Sequence, residues 1–381
     1  MKKPKKQILL LLVFIPLLFT LAVPAIAAPG NSARAMILVY ADTGEVLFEQ
    51  NADEQMLIAS VTKIMTALVV LRNCELDEQV EIIWDDVQVE GSSMYIKPGE
   101  TYTVEELLYG MMLASGNDAA LALARHCAGS INAFAEKMNA LAQSLGMTNS
   151  AFENPHGLDG KSQYSTARDL AVLTAEAMRN KAFEKIVSTR SVSIQNKSYV
   201  NHNKLLNSYE GCLGVKTGYT MAAGRSLVSC AERNGLRLIC VTLGDPDDWG
   251  DHSDLYDWAF DNYRMEEAVS EGEFMRLPVM SGVAGSVAVE AYEAVPLLMT
   301  KDQTLSLKIY LPRFVYAPVN EGGIAGTAEI YVDGELRGTV PLYYSASVSE
   351  GKTANKSASE RIQSAWALSY WNSVRIKALE G

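Results

Sequence analysis

Between Ile64 and Leu71, apolar residues fall at positions 64, 65, 68, 69 and 71, the spacing of a helix buried in a core. Ser60 lies where the N-cap of that helix would fall. Ahead of it, Ala35–Tyr40 and Glu45–Glu49 are strand-like runs on either side of Ala41-Asp42-Thr43-Gly44, which reads as a hairpin. Glu78–Ile83 predicts a short strand, and Gly91–Glu100 an irregular connection. Thr103-Val104-Glu105-Glu106 is a capping box that opens a helix with Leu107, Leu108, Met111 and Met112 on its apolar side. Gly116 interrupts the pattern, so Ser115 and Asn117 are expected on a turn between two helices. Ala120–Cys127 and Ile131–Leu145 follow as helices, residues 154–160 as a loop, and Thr166–Asp169 as the cap of a helix running to about Met178. Ser191–Gln195 and Asn201–Leu206 are expected to be extended. Gly214–Thr220, Ser226–Ala231 and Arg237–Leu243 read as adjacent antiparallel strands, and Asp251–Tyr263 as a final helix with Leu255, Trp258, Ala259 and Phe260 at core spacing. A hairpin, then many helices, then strands indicates a mixed α/β domain whose first and last strands share one sheet.

From about Arg264 the texture changes. Gly285–Tyr292, Leu305–Tyr310, Thr327–Val332 and Arg337–Pro341 alternate with Gly, Pro and Asp turns and show no helical period, so residues 264–345 are expected to form a small all-β domain. Ser345–Ser359 is a polar linker. Beyond it, Ile362, Trp366, Tyr370 and Val374 recur at roughly helical spacing beside Trp371, with Lys356, Arg361, Arg375 and Lys377 around them. That stretch, Arg361–Leu379, suits either an amphipathic helix lying on a membrane or a helix packed on the β domain. At the other end, Lys2, Lys3, Lys5 and Lys6 precede an apolar run from Ile8 to about Leu21, and Ala25-Ile26-Ala27 supplies small residues. This predicts a secretory signal peptide over 1–27 in preference to an uncleaved anchor, since the run is short for a spanning helix and contains Pro16. The expected domains are therefore 28–263, 264–345, and a linker with a terminal helix over 346–381.

At 381 residues the chain can bury a large core and a second, smaller one. Removing residues 1–27 takes away four lysines and no acid, so the formal charge goes from -12 to -16, which argues against a nucleic-acid partner. Cys74, Cys127, Cys212, Cys230 and Cys240 are an odd number without metal-like spacing, and the four histidines are scattered, so no metal site is expected. Cys230 and Cys240 flank a probable turn at Asn234-Gly235. A two-residue turn there sets Cys230 opposite Ile239, which favours free thiols over a disulfide.

The candidate chemistry begins at Ser60-Val61-Thr62-Lys63. Residues three apart on a helix touch, so the Ser60 hydroxyl and the Lys63 amine are within reach of each other. A lysine in an apolar helix loses solvation, its pKa falls, and it becomes a base for the neighbouring hydroxyl. The same Ser-x-x-Lys spacing at Ser349 and Lys352 lies in a polar tail with no apolar helix behind it and reads as chance. Two further motifs follow in order, Ser115-Gly116-Asn117 on a turn and Lys216-Thr217-Gly218 on a strand. Serine β-lactamases and penicillin-binding proteins carry such a trio.

On these motifs the chain resembles the low-molecular-mass penicillin-binding proteins that act as D-alanyl-D-alanine carboxypeptidases. Ala59–Thr66, Leu113–Ala119, Asn154–Leu158, Tyr164–Leu170 and Gly214–Thr220 carry the resemblance, which spans roughly residues 30 to 345. It implies a β-lactamase/transpeptidase-like α/β (α+β) catalytic domain, an antiparallel sheet flanked by helices, with an all-β second domain and a C-terminal amphipathic anchor. It also implies a serine peptidase that needs no cofactor, works at the outer face of the cell membrane on peptidoglycan stem peptides ending in D-Ala-D-Ala, and is acylated by β-lactams. Ser60 would attack, Lys63 would take its proton, Ser115 would relay a proton to the leaving amine, and Asn117 would orient Lys63 and the substrate amide. Lys216 would help to hold Lys63 neutral. The amides of Ser60 and Tyr219 would form the oxyanion hole, Gly218 would let the substrate lie along the strand, and Lys216, Thr217 and Arg237 would bind the terminal carboxylate. His156 is expected to be structural and Asp169 a cap and loop anchor. Where some relatives carry a histidine after the Lys-Thr-Gly motif and an arginine before the strand, this chain has Tyr219 and His202. A secreted β-lactamase and a non-catalytic envelope-binding protein on the same scaffold are the competing expectations.

Overall fold

The computed structural model describes residues 28–351; the expected export segment and the expected terminal helix lie outside the described residues. The chain opens with β1 (Ala35–Tyr40) and β2 (Val46–Gln50), followed by a single 3-10 turn over Ala59–Thr62 and α1 (Lys63–Asn73). The short strands β3 (Gln79–Glu81) and β4 (Thr101–Thr103) pair and lead into α2 (Val104–Leu113), α3 (Asn117–Ala128), α4 (Ile131–Ser144), α5 (Ala167–Arg179) and α6 (Lys181–Ser188). A small hairpin of β5 (Ser191–Ile194) and β6 (Lys197–Val200) and a four-residue helix, α7 (Leu205–Ser208), precede β7 (Cys212–Thr220), β8 (Gly224–Arg233), β9 (Leu236–Leu243) and α8 (Asp248–Asn262).

The main sheet runs β2-β1-β9-β8-β7 and is antiparallel throughout, with the N-terminal hairpin joined to the late strands through β1 against β9. Every residue of β1 is buried, because both faces of the sheet are covered. Alternate side chains sort accordingly. Ile37 and Val39 join the core shared with α1, α2 and α3, whereas Met36 and Leu38 pack with Leu255, Tyr256 and Ala259 of α8. β7 ends the strand order, so one of its edges is left without a strand partner among the described residues. The β8–β9 turn has Asn234 at φ 51° and Gly235 at φ 77°, the two positive values a tight two-residue hairpin requires. It places Cys230 opposite Ile239 and Cys240 opposite Ser229, and all five cysteines are free thiols.

Directly after α8 the chain becomes β-rich. β10 (Tyr263–Val269), β11 (Gly272–Met280), β12 (Ser286–Ala291), β13 (Val295–Thr300), β14 (Leu305–Tyr310), β15 (Val315–Tyr316), β16 (Ile324–Val332) and β17 (Glu335–Tyr344) follow. β10 pairs with β13, and the rest form a sheet ordered β14-β16-β17-β12-β11-β15 around Val279, Val289, Ala328, Ile330 and Leu342. Among the described residues no helix is long and apolar enough to cross a membrane.

Two local expectations are corrected, and one helix was not foreseen. Asn201–Leu206 is not extended: Asn201 Nδ2 donates to the Val187 and Thr189 carbonyls, and Asn201 and Asn203 side chains accept from the amides two residues on, which turns the chain into α7. A further helix, α6, starts at an Asn180 side chain that accepts from the amides of Ala182 and Phe183. Ser60 is not an N-cap but part of the 3-10 turn before α1. The capping box, by contrast, closes in both directions, Glu106 amide to Thr103 Oγ1 at 3.1 Å and Thr103 amide to Glu106 Oε2 at 2.8 Å. Thr103→Ala is accordingly expected to lower stability by about 1 kcal/mol in chemical denaturation, with no change in the reactivity of Ser60.

Candidate active site

Ala59 has φ 49°, an uncommon value for a residue with a side chain, and this bend sends the chain into the 3-10 turn. In such a turn side chains three apart eclipse one another. Ser60 Oγ consequently lies 3.0 Å from Lys63 Nζ. The turn is braced by Thr62 Oγ1 donating to the Ala59 carbonyl at 2.8 Å, and by Gly157, whose φ is 91° and whose missing Cβ would overlap that carbonyl.

Lys63 Nζ is fully enclosed. Besides Ser60 Oγ it contacts Asn117 Oδ1 at 2.7 Å and the carbonyl of His156 at 2.6 Å. The His156 contact brings in the 154–158 loop, which Thr66 Oγ1 also holds by donating to the Pro155 carbonyl at 2.6 Å. The His156 ring is engaged by its own loop: its Nδ1 accepts the Leu158 amide at 3.1 Å, and burial, then the Lys63 charge, lower its pKa to about 4. Its functional group is the main-chain carbonyl, which no reading of side chains would have singled out.

Ser115 and Asn117 sit at the α2–α3 junction. Ser115 has φ 60° and is buried, and Asn117 is the first residue of α3. Asn117 Nδ2 donates to the Glu90 carbonyl at 2.7 Å, so its oxygen is left pointing at Lys63. Asp118 fixes this junction to the 93–96 segment by accepting from Ser93 Oγ and from the amides of Met94, Ile96 and Ala119. The role of Asp118 was not apparent from sequence, although its place directly after the motif marked it.

Across the cleft, Lys216 on β7 is buried, with Nζ donating to the Thr217 carbonyl at 2.9 Å. Burial lowers its pKa to about 7. Lys63 is held well below the 10.5 of an ordinary lysine by burial first and by Lys216 second, against a smaller opposite pull from Asp118. Gly218 packs directly against the Ser60 turn: a Cβ there would sit 3.0 Å from the Ile58 carbonyl and 3.1 Å from the Ser60 amide nitrogen. Close approach of two backbones, and not φ freedom, is what requires glycine at 218. Tyr219 projects an exposed side chain from the adjacent position of the same strand. His202 lies near Lys216, and its pKa is lowered by burial and then by that charge.

Arg237 is not brought to this site. It lies at the far end of β9, opposite Glu232 in register and beside the Asn234-Gly235 turn, with Nε on Glu232 at 2.6 Å and Nη2 on Glu184 at 2.9 Å. Lys216–Tyr219 lie towards the other end of the sheet, where β8 contributes Val228 to Arg225. The cation in register with Tyr219 is Arg225, ion-paired with Asp248 at 2.6 Å. The expectation for Arg237 as a carboxylate ligand is therefore corrected: it is ion-paired with Glu232 and Glu184, a strand length away.

Residues 23–247 match the family model described as D-alanyl-D-alanine carboxypeptidase, and residues 263–350 match that of the penicillin-binding protein 5 C-terminal domain. The chain is 34% identical over 362 residues to D-alanyl-D-alanine carboxypeptidase DacC of Escherichia coli, covering 90% of each. It is 30% identical to DacF of Bacillus subtilis over 82% of this chain and 85% of the other. Among solved structures, penicillin binding protein 5 from Haemophilus influenzae superposes with a TM-score of 0.68 at 29% identity, covering 85% of this chain and 99% of that one.

Two outcomes follow from the geometry. Gly218→Ala pushes the strand off the Ser60 amide and is expected to slow acylation by a fluorescent penicillin about a hundredfold while leaving thermal unfolding nearly unchanged. Because the Lys216 charge lowers the Lys63 pKa, Lys216→Met moves the acidic limb of the pH–acylation profile to higher pH, a shift that loss of substrate binding alone would not produce.

Proposed function

The chain belongs to the D-alanyl-D-alanine carboxypeptidase family of serine peptidases, and from that premise we propose which of its residues carry out the hydrolysis. Ser60 Oγ attacks the carbonyl of the penultimate D-alanine, and its proton passes to Lys63. The observation that carries this assignment is the enclosed Lys63 amine, with Ser60 Oγ at 3.0 Å and Asn117 Oδ1 at 2.7 Å. A neutral amine offers two N–H donors and one lone pair. Asn117 Oδ1 and the His156 carbonyl take the donors, and the lone pair faces the Ser60 hydroxyl.

The amides of Ser60 and Tyr219 receive the oxyanion, a contribution of about 2.7–4 kcal/mol per donor in comparable sites. The tight approach of Gly218 to the Ser60 amide supports this pairing. The substrate peptide extends along the open edge of β7, with Lys216 and Thr217 at its terminal carboxylate. Ser115 returns a proton to the departing D-alanine, and water then hydrolyses the ester on Ser60. β-Lactams enter the same cycle. Asp118 has its oxygens engaged by four donors, which fits a long-lived penicilloyl ester better than rapid β-lactamase turnover.

We further propose that residues 1–27 direct export, that 28–263 form the catalytic unit and 264–345 the β domain, and that Arg361–Leu379 lies on the outer face of the cell membrane. The basic and aromatic composition of that tail supports its place there. A role in peptidoglycan maturation and cell shape accords with such a position.

Incubation with diacetyl-Lys-D-Ala-D-Ala tests the assignment. The wild type is expected to release D-alanine, and Ser60→Ala to release none above background; equal release by both would remove Ser60 as the nucleophile.

A further inference from the structure

Away from the catalytic cleft, the fold gathers four ligand-type side chains that are scattered in the sequence. Cys74 caps the C-terminus of α1 in an extended conformation and remains tied to the helix through its amide on the Val70 carbonyl at 2.9 Å. Glu78 lies in that loop, and His126 and Cys127 lie in the last turn of α3. One ligand atom from each of Cys74, Glu78 and His126 lies within 4.8 Å of the other two. The Cys127 thiol lies close enough to that of Cys74 for each to perturb the other. All four side chains are partly buried.

The carboxylate is already oriented. Glu78 Oε1 accepts the Glu75 amide at 2.6 Å, and Oε2 meets His126 Nε2 at 2.8 Å. Bonds of 2.0–2.3 Å in a tetrahedral zinc site place neighbouring ligand atoms about 3.3–3.8 Å apart. The widest gap between the three ligand atoms is at most 4.8 Å, so reaching that spacing takes a displacement of about 1–1.5 Å. A thiol, an imidazole and a carboxylate form a donor set that suits a borderline-soft divalent cation and does not suit calcium or magnesium.

We propose that Cys74, Glu78 and His126 bind a zinc-class divalent cation, with Cys127 or water as the fourth ligand. On binding, the Cys74 thiol gives up its proton and the cation takes the resulting thiolate. The position gives the site a structural purpose. α1 begins at Lys63 and α3 begins at Asn117, so both helices carry a catalytic-site residue at one end and a ligand at the other. With 11 residues in α1, the ion sits roughly 16 Å from the Lys63 backbone, too far to take part in chemistry. It would instead pin the distal ends of the two helices whose near ends hold the Lys63–Asn117 contact.

The full chain, reduced and stripped with a chelator, is titrated with zinc alone against a chromophoric competitor, and with cobalt(II) to record its spectrum. One zinc per chain is expected, with a thiolate-to-cobalt charge-transfer band and a thermal midpoint raised by several degrees. Cys74→Ser and His126→Gln should each weaken zinc binding by at least about tenfold and abolish the midpoint shift, while Cys212→Ser retains both. Fluorescent-penicillin labelling of Ser60 persists in all three variants, so failure here is distinguishable from failure of the catalytic assignment. Wild-type affinity no greater than that of Cys74→Ser, a cobalt spectrum without the sulfur band, or a Cys74–Cys127 disulfide whose reduction restores no zinc affinity would each overturn the proposal.

Discussion

An amine sealed from water, with three oxygen atoms about it, is the feature on which this protein's chemistry rests. Either protonation state of Lys63 can satisfy Ser60 Oγ, Asn117 Oδ1 and the His156 carbonyl, so hydrogen-bond counting does not decide between them. Solvation decides. Enclosure disfavours the ammonium, the Lys216 charge adds to that penalty, and Asp118 offsets only part of it. Lys216 is itself lowered to about 7, by burial. In the proposed cycle Lys63 is the amine held neutral, and the neighbouring Lys216 charge adds to the penalty on its ammonium form.

The architecture serves this separation. α1 supplies Lys63, the α2–α3 junction supplies Asn117, and β7 packs against the Ser60 turn as a third wall. Three glycines set how near these walls come. Gly157 accepts the Ala59 carbonyl where a side chain would block it, Gly218 lets β7 touch the Ser60 turn, and Gly116 leaves room for Met94 and the Asp118 carboxylate. β7 is also the last strand of its sheet, which leaves the edge on which the proposed peptide would pair.

Much of this was legible from the chain alone, for identifiable reasons. Strong periodicity and a capping box marked α1 and α2, and the Asn234-Gly235 turn set the β8–β9 register that keeps Cys230 and Cys240 apart. What escaped was whatever depends on backbone atoms or on distant partners. The His156 carbonyl has no side-chain signature, and the 3-10 turn at Ser60 depends on a positive φ at Ala59 that an alanine does not advertise. Arg237 was misplaced because the family resemblance implied a carboxylate-binding arginine there, whereas the register of β9 carries this one to the opposite end of the sheet, towards Glu184 and Glu232. Cys74, Glu78 and His126 showed no metal spacing because the packing of α1 against α3 brings them together, not any local repeat.

The charge on Lys63 is directly measurable. With lysine labelled at Cε and the Lys63 signal assigned by its loss in Lys63→Arg, the carbon shift can be followed across the pH range. A neutral-amine shift at neutral pH, with the transition on the acid side, is the result that the enclosed amine predicts. A signal that titrates close to the ordinary 10.5 would contradict it and leave Ser60 without its base.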